Sequence, residues 1–192
     1  MSKKEVYIEL NFDVSASNYP DCPKHTEPEI ALVGASNAGK SSLLNAISNN
    51  KKIAKTSKSP GKTKLFNFFK TNKGVIVDLP GYGFSKVSKM QKKQWSEEIP
   101  KYFNARENLK YVFLLTDCRT AFKKVDLEMI DILESLNLRY QIVLTKSDKL
   151  NNKEKEKTLQ RLKDHKSMML FSIKDEGSIF TLISKINALL SN

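Results

Sequence analysis

The stretch GASNAGKSS, Gly34 to Ser42, sets glycines, serines and one lysine directly behind the apolar run Ile30-Ala31-Leu32-Val33. Residues of these types suit the binding of an anion. Glycine lets a backbone curl until successive amides point inward, forming a nest for negative charge. The spacing Gly34-x-x-x-x-Gly39-Lys40-Ser41 matches the phosphate-binding loop that follows a buried strand and opens a helix. In that arrangement Ala35, Ser36, Asn37 and Ala38 line the nest, and the helix beginning near Lys40 adds its positive end through Lys40, Ser41 and Ser42. Lys40 would reach the β- and γ-phosphates of a nucleotide, and the Ser41 hydroxyl would be a ligand of Mg²⁺.

A second motif, this one bearing a carboxylate, follows. IVDLPG, Ile76 to Gly81, is an apolar strand ending in aspartate, 44 residues after Gly34. Asp78 would hold Mg²⁺ through water, and Gly81 can bring a bare amide against a γ-phosphate. Between the two lies TSKSPGKTKLFNFF, in which Thr63 follows a turn containing Gly61. Thr63 can offer its hydroxyl to Mg²⁺ and its amide to the γ-phosphate, ordering the loop only when that phosphate is present. The expected switches are Ile53 to Thr63 and Asp78 to Lys93. Lys40, Thr63 and Gly81 are the groups placed to act on the γ-phosphate.

The base is selected by TKSD, Thr145 to Asp148, after the strand YQIVL. The Asp148 carboxylate can accept from both N1–H and the exocyclic amine of guanine, a donor pair that adenine lacks. Lys146 can lay its stem on the base and brace the phosphate loop. At SIK, the amide of Ile173 between Ser172 and Lys174 can meet guanine O6. The cofactors expected are therefore GTP or GDP and Mg²⁺.

These loops need a scaffold. Strands are expected at Glu29–Val33, Leu65–Lys70, Val75–Asp78, Tyr111–Thr116, Tyr140–Thr145 and Met168–Ser172, with helices beginning near Lys40, Ser88, Lys124, Lys153 and Gly177. In VDLEMIDILESL, residues Val125, Leu127, Ile130, Leu133 and Leu136 fall largely along one helical face. Apolar strands alternating with helices imply an α/β fold: a mostly parallel, six-stranded sheet covered on both faces, with ligands at the carboxyl ends of its strands. Residues 28–192 read as one nucleotide-binding domain. Residues 1–27, with Pro20 and Pro23, read as a lead-in arm with one candidate edge strand around Val6 to Phe12.

The 192 residues carry 33 Lys and Arg against 21 Asp and Glu, a net charge of +12. That surplus favours a polyanionic partner. Six lysines and no acid lie between Lys51 and Lys64, and Lys86, Lys89, Lys92 and Lys93 form another cluster, so both expected switches are basic. No apolar run approaches the ~20 residues of a membrane span, the N-terminal stretch has no signal core, and the two cysteines, Cys22 and Cys118, lack metal-site spacing. A cytoplasmic protein with free thiols, no membrane partner and a monomeric state is expected.

With these motifs in order, the sequence resembles the translation-factor-related P-loop GTPases. It is most similar to the EngB-type ribosome-biogenesis GTPases, through PEIALVGASNAGKSSLLNAI, SPGKT followed by NFF, DLPGYGFSKVSK, LTDCRT and TKSDKL. The resemblance runs from about Phe12 to the C-terminus. It implies a Ras-like fold and a GTP-dependent role in assembly of the large ribosomal subunit, with ribosomal RNA met by the basic switches. Ala35 departs from the arginine usual in the family. Tyr82 stands where Ras-type enzymes carry the water-positioning glutamine, which predicts slow intrinsic hydrolysis. Asn37 resembles the asparagine of potassium-activated GTPases, which makes it a candidate K⁺ ligand as well as a turn residue. Two alternatives stay open: an RNA- or ribosome-binding module that holds nucleotide with little turnover, and a signalling GTPase with a protein partner. Trp95, Ile99, Tyr102 and Phe103 read as core, with Pro100 kinking or ending their helix. Arg106 and Arg119 read as partners of carboxylates or of RNA, and His25 and His165 as lone, exposed residues.

Overall fold

The computed structural model describes residues 6–54, 66–82, 89–161 and 167–191, with backbone alone at 89–95 and 161. The described strands are β1 (Asn11–Ala16), β2 (Glu29–Gly34), β3 (Phe66–Lys70), β4 (Val75–Asp78), β5 (Leu109–Asp117), β6 (Tyr140–Thr145) and β7 (Met168–Leu170). The helices are α1 (Lys40–Ile47), α2 (Lys89–Ala105), α3 (Lys124–Ser135), α4 (Asn152–Arg161) and α5 (Glu176–Leu190). The strands form one sheet in the order β1-β3-β4-β2-β5-β6-β7. β2, β4, β5, β6 and β7 run parallel, while β1 and β3 complete one side antiparallel.

The central strands are apolar on both faces, as burial under two helical layers requires. Along β2, Ala31 and Val33 join one core and Ile30 and Leu32 the other. The first core packs α2 and α3 through Ile99, Tyr102, Phe103, Met129, Ile130 and Leu133. The second packs α1 and α5 through Leu43, Leu44, Ile47, Leu182 and Ile186. The period-2 alternation of the strands thus divides one apolar run between two layers.

Several expectations need correction. Among the described residues the sheet has seven strands, not six, because β1 lines the outer edge of β3. That edge strand lies at Asn11–Ala16 rather than Val6–Phe12. Ile8 and Leu10 make the earlier stretch look like a strand, but they bury in the α1–α5 core, and the Ile8 amide donates to the Ile47 carbonyl at 2.9 Å. Leu127 is exposed; Met129 and the acid Asp126 take its place on the buried face of α3. His25 is neither lone nor exposed: its imidazole lies 2.8 Å from Glu29 and 3.0 Å from Glu27. Pro100 sits inside α2, which continues to Ala105, so it does not end that helix.

Glu29, at the start of β2, is fully buried. It accepts from Arg106 Nε at 2.8 Å, from Arg106 Nη2 at 2.6 Å and from the Tyr102 hydroxyl at 2.9 Å. Arg106 also donates to the Pro23 carbonyl at 2.7 Å. This network ties α2 and the N-terminal arm to the end of β2 away from the phosphate loop.

Candidate functional site

The loop after β2 turns sharply because three residues make it possible. A Cβ on Gly34 would lie 2.4 Å from the Leu115 carbonyl oxygen, so only glycine lets β2 end this close to β5. Asn37 has φ 66° and Gly39 φ 102°, and Gly39 caps α1. Asparagine tolerates the left-handed region, so the turn alone accounts for its residue type. The amides of Lys40, Ser41 and Ser42 open α1 and have no carbonyl of their own helix to bond. Two amides of the expected nest are used within the protein: Ser36 N donates to the Tyr82 carbonyl, and Ala38 N donates to the Ala35 carbonyl, both at 2.9 Å.

Lys40 is buried, with one long hydrogen bond (3.4 Å) from its ammonium to the Gly34 carbonyl, and stands 4.0 Å from Asp78 Oδ1. Burial pushes the Asp78 carboxyl up to about 6, against the pull of Lys40. Burial also pushes Lys40 down, against the pull of Asp78. Asp78 Oδ1 and Ser36 Oγ are buried without a hydrogen-bond partner. A Cβ on Gly81 would meet Ser36 Oγ at 3.1 Å and Lys40 Nζ at 3.3 Å. An under-used ammonium, two orphaned oxygens and a bare glycine therefore face one another. Such groups gain from an anion and a cation bound together, since unmet buried polar atoms cost about 1–3 kcal/mol each.

The donor set suits Mg²⁺. Asp78 offers one carboxylate and Ser41 one hydroxyl, and the described residues include no cluster of three or more His, Cys, Asp or Glu. A cation held so sparsely keeps waters and takes phosphate oxygens, which is the habit of Mg²⁺. Gly61 and Thr63 lie outside the described residues, as do Lys55, Lys58, Lys62 and Lys64 of the first lysine cluster and Lys86 of the second; Lys89, Lys92 and Lys93 lie in α2, where the backbone alone is described.

The base-side loop is bound directly to the phosphate loop. The Thr145 hydroxyl donates to the Ala38 carbonyl at 2.6 Å. Lys146, itself left-handed at φ 60°, donates from Nζ to the Asn37 carbonyl at 2.8 Å and to Asp117 Oδ2 at 2.9 Å. Burial raises the Asp117 carboxyl, but hydrogen bonds from Arg119 and Lys146 together hold it well below the usual carboxylate range. Asp117 was not among the expected site residues; its one signal was an acid at the end of an apolar strand. Arg119 pairs with it at 2.7 Å, the carboxylate option.

Asp148 is oriented from behind. Its Oδ1 accepts from the Ser172 hydroxyl at 2.8 Å, and Ser172 Oγ accepts from the Lys174 amide at 3.1 Å. The Ser172 hydrogen bond, helped by Lys174 and Lys149, holds Asp148 below the ordinary range against burial. Ile173 is 54% exposed on the turn that follows β7. Ser172 and Lys174 thus flank the carboxylate expected to read guanine, with Ile173 between them in the chain.

Tyr82 differs from a water-positioning residue in direction as well as type. It is buried, and its hydroxyl donates to Asp126 Oδ1 at 2.8 Å, towards α3.

A phosphate loop after β2, an acid at the end of β4 and a TKSD loop after β6, on a seven-stranded mostly parallel sheet, define a P-loop GTPase of Ras-like fold. The family model for the 50S ribosome-binding GTPase matches residues 29–146. The chain is 48% identical over 157 residues to a probable GTP-binding protein EngB of Mycoplasmopsis synoviae, covering 81% of this chain and 83% of that protein. It is 41% identical over 179 residues to one from Thermoanaerobacter pseudethanolicus, covering 92% and 91% respectively. It therefore belongs to the 50S ribosome-binding GTPases, in their EngB group. Among solved structures, a probable GTP-binding protein engB superposes with TM-score 0.68 at 21% identity, covering 84% of this chain and 98% of that one. Era in complex with MgGDPNP and a 16S ribosomal RNA segment superposes with TM-score 0.66 at 21% identity, covering 86% and 57%. Both likenesses concern the fold.

Proposed function

We propose that this protein is a slow GTPase whose nucleotide state controls its binding to the large ribosomal subunit during assembly. The observation carrying this reading is the direct linkage of the two loops: Lys146 donates to the Asn37 carbonyl while Ser172 orients Asp148. Guanine and phosphate recognition then form one rigid surface. Lys40 and the amides opening α1 would take the β- and γ-phosphates, Ser41 and Thr63 would hold Mg²⁺ with Asp78 acting through water, and Gly81 would read the γ-phosphate. Mg²⁺ supplies charge neutralisation on the transferred phosphoryl group. Residues 28–192 carry this activity, with 1–27 as an arm. RNA is met through the basic segments at Ile53–Thr63 and Asp78–Lys93, and the protein works in the cytoplasm as a monomer; no described helix is long and apolar enough to cross a membrane.

The inward Tyr82 favours slow turnover, because no side chain at that position faces the phosphates. Charge for the transition state would then come from the ribosome, or from K⁺ held by the exposed Asn37 side chain. Equal hydrolysis rates in K⁺ and Na⁺ would remove the potassium route. A module that holds nucleotide with little turnover is the second reading, supported by the same residue.

Co-sedimentation with large subunits tests the proposal, using no nucleotide, GDP or a non-hydrolysable GTP analogue at two salt concentrations. Selective binding in the analogue state that weakens with salt is expected. Equal binding to any polyanion, whatever the nucleotide, would reduce the +12 charge to nonspecific attraction.

A further inference from the structure

We infer that Tyr82 is a positioning residue: its hydrogen bond to Asp126 fixes Gly81 against the phosphate loop, so that the protein distinguishes GTP from GDP. The inference rests on the proposed GTP binding and concerns residues outside the expected nucleotide contacts.

Tyr82 is held at its backbone, its ring and its hydroxyl. Its carbonyl accepts from Ser36 N at 2.9 Å, beside a parallel bridge between Tyr82 and Ala35. Its ring packs in the α2–α3 core. Its hydroxyl donates to Asp126 Oδ1 at 2.8 Å. Asp126 is itself immobilised: Oδ2 accepts from Thr116 Oγ1 of β5 at 3.1 Å and from the Lys123 amide at 3.2 Å. A carboxylate at that point caps the first turn of α3 and suits its positive end. Asp126 is 3% exposed.

The strut therefore runs from β5 and α3, through Asp126 and Tyr82, to the residue that closes over the phosphate loop. Gly81 is the neighbour of Tyr82 in the chain, and its Cα faces Ser36 Oγ and Lys40 Nζ. A glycine on a loop end is otherwise free to swing. Anchoring the next residue at backbone, ring and hydroxyl keeps its amide where a γ-phosphate would arrive. GDP presents no γ-phosphate, so the strut contributes nothing to holding it.

The experiment compares affinities of fluorescent GDP and of a non-hydrolysable GTP analogue for the full chain, for Tyr82→Phe and for Asp126→Ala, with Mg²⁺ present. Tyr82→Phe deletes only the hydroxyl. It is expected to weaken the analogue about tenfold, the scale of one hydrogen bond to a charged group, with GDP affinity unchanged. Asp126→Ala is expected to lower the same ratio, and the double variant to lower it no further than the larger single effect, since both break the Tyr82–Asp126 bond, Asp126→Ala losing in addition the bonds from Thr116 and the Lys123 amide. A purely structural role would weaken both nucleotides alike. Parallel losses, or no change in the ratio for Tyr82→Phe, overturn the inference. A wild-type protein that binds neither nucleotide would overturn the underlying GTP reading as well, and so separates the two failures. Tyr82→Phe alone decides the matter should Asp126→Ala fail to fold.

Discussion

Replacing Asp78 with asparagine should stabilise the nucleotide-free protein while crippling its response to Mg²⁺ and GTP. The side chain is 4% exposed, and its carboxyl is raised from 3.8 to about 6 even with Lys40 nearby. A rise of about 2 units, at about 1.4 kcal/mol each, means that the ionised carboxylate costs the folded state about 3 kcal/mol. The sign follows from the raised folded value. Below the unfolded value of 3.8 both states are protonated and no penalty applies; it grows as pH rises and is complete above about 6. An asparagine amide is neutral at every pH and escapes it. Urea denaturation of stripped protein should therefore show Asp78→Asn more stable by about 1–3 kcal/mol at pH 7.5, with the difference shrinking towards zero as pH falls from about 6 to about 4. Adding Mg²⁺ and GTP should reverse the order, because only the carboxylate gains from the cation. A variant less stable than wild type without nucleotide, or a difference independent of pH, would refute the idea that burial of this charge is an unmet cost held for ligand binding.

Tyr82→Gln should not accelerate GTP hydrolysis, because the side chain at this position faces Asp126; a severalfold rise in single-turnover rate would contradict that geometry. Glu29→Gln should destabilise the fold by about 3 kcal/mol in denaturation, since Arg106 would be left buried without its charge partner. Nucleotide affinity of the folded fraction should be unchanged, because the pair lies at the far end of β2. Ser172→Ala should weaken GTP and GDP alike about fivefold in equilibrium titration, the scale of one neutral hydrogen bond. It should also move the Asp148 carboxyl back up, so that binding fails at a less acidic pH than in wild type. Gly34→Ala should cost about 2 kcal/mol or more in thermal or urea unfolding, because its Cβ would meet the Leu115 oxygen at 2.4 Å.

The groups proposed to meet the phosphates were legible because their chemistry is local. A nest needs consecutive amides, a capped helix and a lysine at its start, so Gly34 to Ser42 states the whole requirement in one short stretch. The same holds for DLPG and for TKSD, each placed at the end of an apolar run. Strand burial was also readable, since Ile30 to Val33 can only suit a sheet covered twice. Tertiary structure decided what joins these pieces. Lys146 and Asn37 are 109 residues apart, Arg106 and Glu29 are 77 apart, and Tyr82 and Asp126 are 44 apart. No periodicity within a segment encodes such pairs. Asp126 is hidden in α3 because a helical pattern counts apolar positions and overlooks a buried carboxylate that meets its donors from elsewhere in the chain. The bounds of β1, though not its existence, escaped in the same way: an edge strand with one open side needs few apolar residues, so Asn11, Asp13 and Ser15 disguised its extent. Sequence determined which atoms can hold a guanine nucleotide, and topology determined which distant residues hold those atoms still.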